Sequence, residues 1–119
     1  MNLKQKKITV MLLSLLIAII FFASGLTKLL AVEMQLNNLE SWGYPLWLRF
    51  PIGFIEMILA LGILIKRFKK KVCLALYIWG IVAIYTHVQA GQYDQILPAV
   101  LFMFIATIIL ILYKPNKMD

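Results

Sequence analysis

At 119 residues the chain is one domain long, and 63% of its residues are hydrophobic against 14% charged. So small a water-soluble domain has no interior large enough to hide that much apolar surface, whereas a bilayer takes it up. The net charge of +7 is gathered in short clusters between long apolar runs, which points to anionic lipid headgroups rather than nucleic acid.

The first apolar run, Ile8 to Leu30, follows Lys4, Lys6 and Lys7 and carries Lys28 near its end as its one formal charge. Ala23-Ser24-Gly25 loosely fits a signal-peptide cleavage site. The run is long for that role, and removing it would leave opposed basic clusters on an odd number of spans, so retention is expected. In the stretch from Ala31 to Pro45, Leu29, Val32, Leu36 and Leu39 recur at helical spacing, with Glu33, Gln35, Asn37, Asn38 and Glu40 mostly elsewhere. A short helix on the outer interface, covering the mouth of the bundle, is expected there. Trp42-Gly43-Tyr44-Pro45 ends it, and Trp42, Tyr44 and Trp47 suit the headgroup level.

The second run is Trp47 to Ile65, with Arg49 at its start and Glu56 in its middle; the third is Val72 to Val88; the fourth is Ile96 to Tyr113. The four runs have 23, 19, 17 and 18 residues, against about 20 for a membrane-spanning helix. Gly91-Gln92-Tyr93-Asp94 makes the second outer turn, and Pro98 falls in the first turn of the last span, where a missing N–H costs little. Lys66, Arg67, Lys69, Lys70 and Lys71 lie between spans two and three, and Lys114 and Lys117 follow span four. With the three N-terminal lysines, ten of the twelve basic residues fall on one side of a four-span topology. The positive-inside rule puts both termini and the middle loop in the cytoplasm. The fold expected is all-α: a four-span antiparallel bundle with a short outer helix between spans one and two.

Glu56 is the sharpest chemical signal. It lies nine residues into its span, about 13 Å along the helix. A carboxylate at that depth is costly unless paired, hydrated or protonated, which makes it a proton-carrying or ligand-anchoring candidate; the alternative is a structural hydrogen bond to a neighbouring helix. Arg49 and Gly53 share its helical face at spacings of seven and three. Gly53 permits close backbone approach, and Arg49 is expected to reach the interface or to meet Glu33 or Glu40. Lys28, three residues after Gly25, either snorkels to lipid phosphate or turns inward to Glu56 or a bound anion. His87, beside Tyr85 and Thr86, either handles protons or a quinone carbonyl, or sits at the interface. Tyr77, Gly80 and His87 lie on one small, polar face of span three, expected to point inward. Lys28, Arg49, Tyr85, His87 and Gln92 all fall toward the outer leaflet above Glu56, so an outward-opening pocket with Glu56 at its floor is expected. The remaining Met and Phe residues, such as Met57, Phe102, Met103 and Phe104, read as packing or lipid-facing groups. The lone Cys73 forms no internal disulfide and reads as a packing residue. No metal-ligand spacing or phosphate loop is present.

These residues resemble the DoxX-like family of small prokaryotic membrane proteins from about Ile20 to Tyr113. The resemblance rests on Phe22-Ala23-Ser24-Gly25-Leu26-Thr27-Lys28-Leu29, similar to a G-x-x-K signature, and on Gly43-Tyr44-Pro45, Gly53-Phe54-Ile55-Glu56 and Ala83-Ile84-Tyr85-Thr86-His87. It implies a four-helix bundle in a prokaryotic plasma membrane and a link to quinone or thiol redox metabolism, since the name-giving members are subunits of a thiosulfate:quinone oxidoreductase. Carried over, the shared positions are Gly25, Lys28, Glu56 and His87. The resemblance implies at most a partner-dependent oxidoreductase subunit, with quinone as ligand and an oxidoreductase subunit as partner; a second copy of the chain is a separate candidate partner. Two other readings stay open: a structural subunit of a membrane complex, and a proton-coupled small-solute exporter. Small four-span exporters also carry one intramembrane Glu, but theirs lies in the first span, where this chain has none.

Overall fold

The computed structural model describes residues 1–114; Lys117 lies outside the described residues. Helix α1, Leu3–Leu29, starts with a capping box: Asn2 Oδ1 accepts from the Gln5 amide at 2.8 Å, and Gln5 Oε1 accepts from the Asn2 amide at 3.1 Å. Helix α2 is the short Glu33–Ser41 segment, as its apolar spacing predicts. A single 3-10 turn, Leu46–Leu48, leads into α3, Arg49–Leu64. Helix α4 runs Lys69–Gln89, and a second 3-10 turn, Tyr93–Gln95, precedes α5, Ile96–Leu112. The long apolar segments, Leu3–Leu29, Leu46–Leu64, Lys69–Gln89 and Tyr93–Leu112, are four candidate membrane spans. This is a multi-pass, all-α bundle with a short helix between the first two spans.

The third span is longer than hydropathy alone predicts: α4 has 21 residues because its first turn takes in Lys69, Lys70 and Lys71. A lysine is a good helix former, so charge ends the apolar run without ending the helix.

Three chain reversals share one device. Val32 N–H donates to the Thr27 carbonyl, Tyr44 N–H to Leu39 and Gln92 N–H to His87, at 2.8–3.0 Å, each spanning five residues. These 6→1 bonds need a left-handed residue just before the donor. Gly43 (φ 79°) and Gly91 (φ 71°) supply it freely, whereas at the first reversal Ala31 does so at φ 56°.

The bundle is two helix pairs. Helix α1 packs chiefly on α3, and α4 on α5, while α3 meets α4, and α1 meets α5, over less length. Glycines set both tight contacts. A Cβ on Gly25 would stand 2.5 Å from the Gly53 carbonyl oxygen, and one on Gly53 would stand 2.8 Å from that of Gly25. A Cβ on Gly80 would meet Met103 Cγ at 2.6 Å. The pairs are joined near the end that carries the 65–68 turn, hereafter the basic end. There Val10, Ile17, Ile63, Val72, Cys73, Leu76, Ala106, Ile109 and Tyr113 form one buried cluster. Toward the α2 end the pairs part.

Candidate functional site

The gap between the pairs is a cavity of about 670 Å³, within the range of small-molecule sites. Its walls are mostly apolar. Phe21, Leu76 and Phe102 close it deepest, with the Phe21 and Phe102 rings edge to face at 4.9 Å. Glu56 therefore lies on the side wall, and the lining reaches about a turn below it along α1 and α5. Phe102 is more than a generic packing group, because it forms this floor with Phe21.

Glu56 and Lys28 face each other across the α1–α3 contact. Lys28 Nζ stands 2.7 Å from Glu56 Oε1, and both side chains are buried. Lys28 Nζ also donates to Ser24 Oγ at 2.8 Å, and the Ser24 hydroxyl is 3.2 Å from both Glu56 oxygens. Each part has a local cause. Ser24 and Lys28 are one helical turn apart on α1 and so share a face. The Gly25–Gly53 approach brings α3 near enough for a carboxylate to reach them. Of the two readings of Lys28, the inward one is what the structure shows, and Glu56 meets an ammonium rather than a neutral partner. Breaking such a pair costs far more than forming it returns, because the survivor is left charged and dry.

The α2 segment closes the mouth. Gln35 Nε2 donates to Thr27 Oγ1 at 2.9 Å, which ties α2 to α1. Trp42 Nε1 donates to Gln92 Oε1 at 2.8 Å, and His87 Nδ1 lies 2.9 Å from the same oxygen. An amide oxygen only accepts, so Nδ1 carries the proton and Nε2 is left for other partners. The Trp42 and His87 rings meet edge on at 5.6 Å, and the Tyr44 hydroxyl bonds to Thr86 Oγ1. Trp42 and Tyr44 thus turn toward the bundle, where their polar tips find partners. Trp47 stays exposed. The polar atoms of this clasp bridge the two helix pairs at the end where their cores no longer touch.

The sequence candidates sort accordingly. Lys28, Glu56, Gly80 and His87 line the cavity, and Gln92 holds His87. Gly25 and Gly53 set the helix contact behind the ion pair. Tyr85 is 60% exposed and outside the lining, since one residue's rotation carries it off the face that bears Thr86. Arg49 also lies outside the lining. Its guanidinium stacks over Phe50 at 4.5 Å, its Nε is buried without a hydrogen-bond partner, and it makes no ion pair with Glu33 or Glu40. Tyr77 bonds to Thr107 Oγ1 on α5 and serves the α4–α5 contact.

Sequence reasoning missed Trp42 and Tyr44 as inward groups, and Ser24 as the bridge between the charges. The Ser24–Lys28 spacing was a usable signal for the second. For the first there was none, since aromatics at a span end fit the interface equally well.

No curated protein and no solved structure matches this chain. The DoxX-like family matches residues 12–109, a stretch that contains every residue of the ion pair, the clasp and the cavity floor. The chain belongs to the DoxX-like family.

Proposed function

We propose that the protein binds an uncharged amphiphile of the quinone class between its two helix pairs, as a subunit or accessory of quinone-linked redox metabolism in the plasma membrane. One observation carries this reading: the buried charges that line the cavity, Lys28 and Glu56, cancel each other at 2.7 Å. An anion or cation reaching this buried part would meet no free counter-charge, since the other charged lining residue, Asp94, is exposed at the mouth. A neutral ring meets aromatic walls at Phe21, Trp79 and Phe102; a carbonyl oxygen meets a donor at Lys28, whose ammonium has one proton beyond those given to Ser24 and Glu56, and His87 Nε2 offers an acceptor to the hydroxyl of the reduced ring. The same pairing weighs against a proton-coupled exporter, whose carboxylate must exchange protons freely.

Trp42 and Trp79 border the cavity, so binding is read as quenching of their fluorescence by a quinone. Full-length protein in phosphatidylcholine nanodiscs should quench saturably with a dimethoxy-dimethyl benzoquinone. His87→Ala and Phe102→Ala should each weaken binding, on the order of tenfold. Saturation that is equal in both variants and the wild type removes the cavity from the function.

The charge asymmetry supports an orientation with both termini and the 65–68 turn in the cytoplasm and the mouth outside. A reporter inserted in the 65–68 turn and one after Asp119 should be cytoplasmic, and one at Asn38 external. A cytoplasmic Asn38 defeats this orientation.

A further inference from the structure

We infer that the cavity has a side door: a cleft between α3 and α4 through which the ligand enters from the bilayer and in which its hydrocarbon tail stays. This rests on the proposed binding of an amphiphile and specifies its route and its tail. Along one flank the lining is Pro51, Ile52 and Ile55 from α3, and Trp79, Val82 and Ala83 from α4, with no charged residue among them. Three of these, Pro51, Ile55 and Val82, belong to both surfaces at once. Ile55 is 41% exposed and Val82 is 50% exposed, yet each lines the cavity. A residue that borders a cavity and the outer surface together marks an opening between them.

The depth of the opening fixes what enters. From Pro51 to Ile55 the cleft runs about 6 Å along α3, and Ile55 stands beside Glu56 at mid-span. The cleft therefore opens on the hydrocarbon of a membrane, where an alkyl or isoprenoid chain is at home and water is not. Among the described residues no hydrogen bond crosses from α3 to α4 beside the cavity. The bond that joins them, Lys69 Nζ to the Ile63 carbonyl, is at the basic end. On the opposite flank Ile20 of α1 and Pro98 of α5 also line the cavity and are exposed, but the edge-to-face Phe21–Phe102 contact joins the two helices between those positions. The mouth is clasped by Trp42, Tyr44, Thr86, His87 and Gln92. A long single chain attached to a ring held between Phe21, Trp79 and Phe102 has the α3–α4 cleft as its exit.

The test compares two quinones that share a head. Nanodisc-embedded protein is titrated with the dimethoxy-dimethyl benzoquinone and with its decyl homologue, by tryptophan quenching. The double variant Ile55→Phe/Val82→Phe fills the cleft without adding a fluorophore. Ile78→Phe, on the exposed face of α4 and outside the lining, is the control. The double variant is expected to bind the decyl compound on the order of tenfold more weakly than the wild type, while binding the tailless ring unchanged. Ile78→Phe should match the wild type with both. Equal weakening of both ligands overturns the proposal, because these residues then belong to the head site. Weakening of neither overturns it as well and leaves the cleft to ordinary bilayer lipid. If the wild type binds neither compound, the quinone reading itself fails and the door with it, an outcome distinct from both.

Discussion

Among the described residues two lysines are buried, one toward each end of the bundle, and they are built on the same plan with opposite results. Lys28 is 5% exposed and meets Ser24 of α1 and a carboxylate of α3. Lys69 is 6% exposed and meets Ser14 of α1 at 2.9 Å and a carbonyl of α3, that of Ile63, with the Tyr113 ring 5.7 Å away. Lys69 sits where α3 ends. Its ammonium satisfies a carbonyl that the helix leaves without an amide partner and complements the negative end of the helix dipole. It closes the end where both pairs share one core. Lys28 sits beside a cavity, where α1 and α3 touch each other but not α4 and α5. A buried cation at a helix terminus is a fastener; a buried ion pair on a cavity wall is a polar feature that a ligand can address. Burial alone does not separate the two, and the surrounding packing does.

The comparison predicts unequal costs. Glu56→Leu strands the Lys28 ammonium and should destabilise the protein by about 3–5 kcal/mol, read from equilibrium unfolding in mixed micelles. Lys28→Met/Glu56→Leu removes both charges and should recover most of that loss. Failure of the double variant to recover would show that Glu56 holds the fold by something other than pairing. Gly25→Ala comes next. Its Cβ meets backbone on α3 at 2.5 Å, so the pair must open, at about 1–3 kcal/mol, and quinone quenching should fall because the Lys28–Glu56 distance grows.

Lys69→Met leaves the Ile63 carbonyl and Ser14 short of a partner and should cost about 1–3 kcal/mol without changing quinone affinity. A matching drop in affinity would break the division between fastener and site. Trp42→Phe removes the donor to Gln92 and should lower stability by about 0.5–1.5 kcal/mol, while the tailless quinone associates faster through a looser mouth in stopped-flow quenching. The smallest effect is a gain: Ala31→Gly relieves a left-handed backbone and should raise stability by about 1 kcal/mol at most.

Much of this is legible in the sequence. Four apolar runs gave the spans, and the spacing of Leu29, Val32, Leu36 and Leu39 gave α2. The cost of a carboxylate in hydrocarbon drew the eye to Glu56. In sequence Lys69 reads as one more member of the basic loop, because it looks like its neighbours Lys70 and Lys71. Only its position at the first turn of α4, opposite the end of α3, buries it. In sequence Arg49 and Tyr85 group with the site because they share its depth. Depth along a span follows from residue number, but direction around it depends on which helix faces which.

The sequence by itself determined the number of spans, the basic asymmetry and the depth of each polar residue, because these depend on local hydropathy and on helical rise along one chain. It also determined the family. Tertiary structure alone decided that Lys28 turns in to Glu56 rather than out to lipid, that Trp42 and Tyr44 clasp the α4–α5 pair, and that the two pairs separate to leave a cavity. Each of these depends on contacts between residues 28 to 50 positions apart, set by the close approach of Gly25 to Gly53 and by a core filled at one end only. A one-dimensional pattern carries no record of where packing stops.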